Sequence, residues 1–206
     1  MLPLFNEKAA TPEMIHHGMG LVKKMTKHVN PQQLPVLVVD QPLYDLAKKI
    51  QWTFLDKFGE DKFLVMLGGL HIEMALWNTM GNLLRGSKWP EMLKKCGFIK
   101  TDAAAISFLK ASNVMRAQYS HQVTLVVLDI LLKQAFKETV TEISVDEWIV
   151  TVSKDSPTFK YWLLVHNFQQ TIFVFIRAHR EMKFRLMVNT LKEIVSLFCT
   201  RSPKLC

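Results

Sequence analysis

Apolar residues fall into two short dense runs and a series of longer, helically spaced stripes. Leu34-Pro-Val-Leu-Val-Val-Asp40 is dense and valine-rich, and Asp40-Gln-Pro42 stops it. Lys62-Phe-Leu-Val-Met-Leu67 is the second run, stopped by Gly68-Gly69. Both are too short and too uniformly apolar for an amphipathic helix, and each suits a buried strand. Between them Leu43, Leu46, Ala47, Ile50 and Phe54 recur at helical spacing, with Lys48, Lys49 and Lys57 expected to face solvent. Strand, helix, strand predicts a βαβ unit and hence a small parallel pair near 35–40 and 62–67. A stable sheet normally has more than two strands, so the pair is a minimal one.

Elsewhere the period is helical. Thr11-Pro12-Glu13 offers an N-cap, a proline at N1 and an acid in the first turn, so a helix runs from Pro12 to about Val29, where Asn30-Pro31 ends it. Ile15, Met19, Val22 and Met25 or Thr26 mark its inner side. Further helices are predicted over Leu70–Gly86, Trp89–Cys96 and Thr101–Ala111, and from Asn113 to Phe136. Val114, Tyr119, Val123, Val126, Val127, Ile130, Leu131 and Gln134 wind along that last one. Ser144-Val-Asp-Glu147 is a capping-box pattern, and Ser156-Pro157 opens a helix that either breaks near His179 or runs on to Leu197. Glu181 and Arg185 would then form an i, i+4 pair. Residues 1–11 read as a loose lead-in, and Arg201–Cys206 as a fraying tail. The expectation is a mostly α fold with a small βαβ unit and about seven to eight helices. Residues 1–86 form the α/β part and 87–206 a helical region packed on it, or the whole is one continuous domain.

Composition narrows the class. With 49% apolar and 21% charged residues over 206 positions, the chain can build a substantial core. Asp129 and Lys133 interrupt one long apolar region, and His166, Asn167, Gln169 and Gln170 the other, so no membrane span is expected. The first residues lack a basic start and an apolar core, so no signal peptide is read there, and an intracellular location, cytoplasmic or nuclear, is expected. Cys96, Cys199 and Cys206 show no ligand spacing, and their odd number argues against a disulfide framework. The net charge of +8 is spread as +1, +4 and +3 over 1–60, 61–140 and 141–206, a pattern that attracts anions weakly without drawing a nucleic-acid footprint.

The candidate chemistry is sparse. Asp40 stands at the C-terminal end of a strand, the edge where parallel sheets place ligands, and its carboxylate suits Mg2+ or Mn2+; the same residue can equally cap the helix at Pro42. His71 opens the next helix on a face with Ala75, Asn78, Asn82 and Arg85. Glu73 lies about 200° round from it, so the two cannot share an ion while both are helical. Arg116, His121 and the i, i+3 pair Arg177 and Arg180 are candidate anion or nucleic-acid contacts, with a packing role as the alternative for each. A lone carboxylate cannot run two-metal chemistry, which needs several acidic ligands.

Leu34–Tyr44, Gly59-Glu-Asp-Lys-Phe63, Gly68-Gly-Leu-His71-Ile-Glu-Met74, Ala117–Thr124 around His121 and Phe175-Ile-Arg-Ala-His-Arg-Glu181 carry a resemblance. Together they are similar to an uncharacterised, multicopy metazoan family of transposon-derived proteins with a domain of unknown function, over about Leu4 to Ile194. By analogy, strand, Asp, helix, strand and histidine-bearing helix are similar to the latter half of a ribonuclease-H-like transposase core. On that analogy Asp40 would match the second catalytic aspartate and His71 the histidine after the next strand. No hairpin unit precedes to supply a first aspartate, and the family usually continues past the equivalent of Cys206. The resemblance therefore implies a fragment of a larger transposon-derived protein without autonomous catalysis. Its partner would be a weakly held nucleic acid or protein. The rival expectations are a remnant of a metal-dependent nuclease and a helical protein-interaction module.

Overall fold

The computed structural model describes residues 10–139 and 142–199, which form ten helices and two strands. The expected tail from Arg201 lies outside the described residues, as does all but the end of the expected lead-in. The chain divides into two compact units, Met1–Ile72 and Glu73–Cys206.

The first unit follows from its local signals. Helix α1 spans Pro12–Val29, and the Thr11 side chain accepts from the Met14 amide, satisfying one of the N–H groups a helix start leaves open. Strand β1 (Val36–Val39) is followed by α2 (Gln41–Thr53), the short α3 (Leu55–Phe58) and β2 (Leu64–Leu67). The strands pair in parallel, Val36 against Leu64 through Val39 against Leu67, as the βαβ reading requires. They are the only strands among the described residues. Met19, Ala47, Ile50, Phe58, Phe63 and Val65 form the core, with Ile15, Val22, Leu37 and Tyr44 packed against it. The other side of β1 is bare: Val36 and Val38 are exposed.

Phe54, which the helical spacing places inward with Ala47 and Ile50, is instead exposed as the C-cap of α2, where the helix has ended and its face is no longer set by the period. Two polar side chains also depart from the pattern. Gln51 is fully buried, and its amide donates to the carbonyls of Phe58 (3.0 Å) and Phe63 (2.7 Å), tying down the chain on either side of the turn before β2. Lys48 does not face solvent as expected. Its ammonium bonds Gln51 Oε1 (2.7 Å) and Glu60 Oε1 (2.6 Å), and the side chain is mostly covered.

Helix α4 (Gly69–Leu84) leads into the second unit, where α5 (Trp89–Lys95), α6 (Asp102–Leu109), α7 (Val114–Glu138), α8 (Val145–Asp155), α9 (Pro157–Arg180) and α10 (Phe184–Cys199) follow. Caps at Thr101, Asn113, Ser144 and Ser156 set four of these starts, and both halves of the Ser144–Glu147 capping box are made. Gly97, at φ 75°, turns the chain after α5. The long C-terminal pattern breaks into α9 and α10, with Met182 left-handed at φ 56° between them. The break removes the expected Glu181–Arg185 pair. Glu181 is not followed by a helical turn, and it bonds Arg177 (2.7 Å) and Lys183 instead. The α4–α6 contact is backbone on backbone: a Cβ on Gly81 would stand 1.7 Å from the Leu109 carbonyl oxygen.

Candidate functional site

In the first unit, Asp40 and His71 stand at the same end of the sheet. The Val39 carbonyl accepts from the Gly68 amide (2.8 Å), and the His71 amide bonds back to Gly68 (2.9 Å). The His71 Cδ2 lies 3.7 Å from where a Gly68 Cβ would stand, an ordinary van der Waals distance, so the ring rests beside the strand end without requiring the glycine. Asp40 is exposed, and its Oδ1 accepts from the Leu43 amide (3.2 Å) as the N-cap of α2. His71 is half-buried, while Asn78, Asn82 and Arg85 of the stripe read with it are exposed. Among the described residues no group of three or more His, Cys, Asp or Glu side chains is placed to hold a metal ion.

The second unit contains a buried polar cluster on α7. Residues Ala117, Ser120, His121 and Thr124, spaced i, i+3, i+4 and i+7, form its buried face, one helical stripe of mostly polar side chains. The His121 ring is sandwiched between Trp77 of α4 (centroids 4.5 Å apart, planes within 3°) and Trp89 of α5 (4.8 Å, 7°). Its Nδ1 is 2.9 Å from Nε2 of Gln169 on α9, a residue as fully buried as His121 itself. Trp89 donates its indole N–H to Thr124 Oγ1 (2.9 Å), and Thr124 donates to the Ser120 carbonyl (2.8 Å). Trp77 in turn donates to Glu73 Oε1 (3.3 Å), so both indoles are held by their polar edges and present their faces to the imidazole. His121 Nε2 and Gln169 Oε1 have no partner among the described residues. Two opposed effects act on the ring. Indole faces favour an imidazolium by about 2 kcal/mol when dry, but burial removes its hydration. Burial wins, and the imidazole is pushed down to about 3.

The other sequence candidates lie on helix surfaces. Arg116 is exposed in the first turn of α7. Arg177 bonds Glu181, and Arg180 reaches Gln118 Oε1 of α7 (3.3 Å). Arg180 thus meets α7 a turn away from His121, and Arg177 is held by its own helix.

Beside the cluster lies an apolar cavity of about 430 Å³. Helix α7 contributes Val123, Thr124, Val127, Leu128, Leu131, Leu132 and Ala135, and α9 contributes Phe159, Trp162, Leu163 and His166. Met92, Leu93, Cys96 and Phe98, on α5 and the turn after it, complete the wall. Both long helices line it at i, i+3, i+4, i+7 spacing, the pattern with which helices pack helices. Cys96 is a free thiol. Among the described residues no helix is long and apolar enough to cross a membrane.

A family described as Domain of unknown function (DUF8702) matches residues 1–147. The chain belongs to this family. The DUF8702 match covers the first unit, the helices bearing both tryptophans of the sandwich and all of α7, and ends inside α8. Gln169 and the α9 wall of the cavity lie beyond it. The family's description names no activity. No curated protein and no solved structure matches the chain.

Sequence reasoning singled out His121 but not the groups around it. Trp77, Trp89, Thr124 and Gln169 were missed as a site. The available signal was a Ser, His and Thr on one face of an otherwise apolar helix, which marks a buried face that must satisfy polar groups.

Proposed function

We propose that this chain is a helical interaction module without catalysis of its own, and that its working surface is the groove between α5, α7 and α9. The cavity carries the reading. It falls in the size range of ligand sites, three helices of one unit enclose it, and its walls are apolar apart from Thr124, His166 and Cys96. Leu131 and Val127, on its rim, are exposed, so apolar surface continues outward from the groove. The reading keeps the mobile-element descent that the sequence resemblance implies, with a surface for binding in place of an assembled metal site.

An environment-sensitive apolar dye, 1-anilinonaphthalene-8-sulfonate, tests it on the native chain. Native protein at low concentration should enhance the dye's emission. A Val127→Lys, Leu131→Lys variant should lose most of that enhancement at an unchanged far-ultraviolet spectrum, because both side chains are exposed before substitution. Native protein that leaves the dye dark, or a variant that binds it equally, overturns the reading.

A further inference from the structure

We infer that the occupant of this surface is a second copy of the same chain, paired along α7 in an antiparallel, two-fold manner; this rests on the groove being a docking surface. Met115, Tyr119, Val126, Val127, Ile130 and Leu131 are between 43 and 69% exposed. They form one stripe along α7 that runs into the groove at Val123. A helix packed on its own protein buries such a stripe.

The area fits a pair. The six side chains leave on the order of 650 Å² of surface on one copy, so pairing two stripes removes up to about 1,300 Å² in total, at the lower end of stable interfaces. A two-fold contact is self-complementary, so one stripe serves both partners.

The charges select the direction. Between Met115 and Leu131 α7 carries two charged residues, Arg116 within the stripe and Asp129 at its edge paired with Lys133, and Lys133 and Lys137 lie on the same side of the helix beyond it. Parallel pairing would set each of these three cations beside its own copy. Antiparallel pairing about Val123 sets Arg116 of one copy at the level of Ile130 of the other, so that no cation faces its own copy. It also separates the two Arg116 residues by roughly 20 Å along the axis, beyond the reach of screened repulsion.

Sedimentation equilibrium of the full chain across the micromolar range is the test. The wild type should convert from monomer to dimer with concentration. A Val126→Lys, Ile130→Lys variant should dimerise about tenfold or more weakly, and Val150→Lys, on the exposed face of α8, should match the wild type. A dimer that survives the double substitution lies elsewhere and overturns the inference. A chain that stays monomeric at every concentration but still lights the dye overturns it while leaving the groove reading intact. Monomer without dye binding removes both. Loss of dye emission as the wild type dimerises would join the two surfaces directly.

Discussion

Replacing His121 by glutamine should remove most of the acid sensitivity of the second unit between pH 6.5 and 4.5. In the folded state the imidazole is pushed down to about 3 by burial, against 6.5 for the exposed side chain. Between those values the unfolded chain binds a proton that the folded chain refuses, so stability falls as the pH falls. Full stability is present above about pH 6.5, and the loss is complete only near pH 3. Each pH unit inside the window costs about 1.4 kcal/mol, so roughly 2.5 kcal/mol is lost by pH 4.5. That is a large part of a stability of about 5–15 kcal/mol for a domain this size.

The exposed carboxylates do not blur this window. Asp129 is held below the usual range chiefly by its bond from Lys133, Glu147 by the Ser144 backbone amide, and Glu181 by Lys183 and Arg177. Their contribution is present above the ordinary carboxylate value and is lost only as the pH falls below about 4.5. Urea unfolding at pH 7.5, 6.5, 5.5 and 4.5, followed by tryptophan emission in a Trp52→Phe background, measures the slope for wild type and His121→Gln. Trp52 is the one tryptophan of the first unit, so the remaining signal reports the second. The wild type should lose stability steadily below pH 6.5, and the variant should be nearly flat to pH 5. Equal slopes in the two proteins would refute the buried neutral imidazole.

Gly81→Ala should destabilise the second unit by about 3 kcal/mol or more, because the added Cβ meets the Leu109 carbonyl oxygen at 1.7 Å and two helix backbones must part; a melting temperature within a degree of wild type would contradict that contact. Asp40→Ala should cost about 1 kcal/mol of stability and Asp40→Asn much less, because the side chain's bond caps α2. Mg2+ or Mn2+ should leave both differences unchanged in thermal unfolding, and a metal-dependent gain confined to the wild type would return Asp40 to the role of a ligand.

Local rules read most of the fold from the chain. Pro12, Ser144-Val-Asp-Glu147 and Ser156-Pro157 determine their helix starts because a cap is satisfied within three or four residues, whatever packs nearby. The two valine- and leucine-rich runs determine a parallel pair because a helical crossover, too long for a hairpin, connects them. The extra helices come from places where local pattern is ambiguous. Leu55–Phe58 is a single turn too short to show a period, and the α9–α10 break falls on Met182, whose left-handed backbone no residue type there announces.

The site was legible only in part. Along α7 the apolar period points to Val123, Val126, Val127, Ile130 and Leu131, yet the buried face is Ala117, Ser120, His121 and Thr124. A helix has one period and several possible faces, and its partners choose among them. Here the choice fell on the face where Trp77, Trp89 and Gln169, between 32 and 48 residues away, could close around one imidazole. By itself the sequence determined the elements, their order and the pairing of the strands, since these depend on neighbours along the chain. Tertiary structure alone decided that His121 is dry and neutral, that Gly81 is a contact point, and that the most apolar stripe of α7 faces outward. Each of these depends on which distant side chains remove water from a group, and that information is not local.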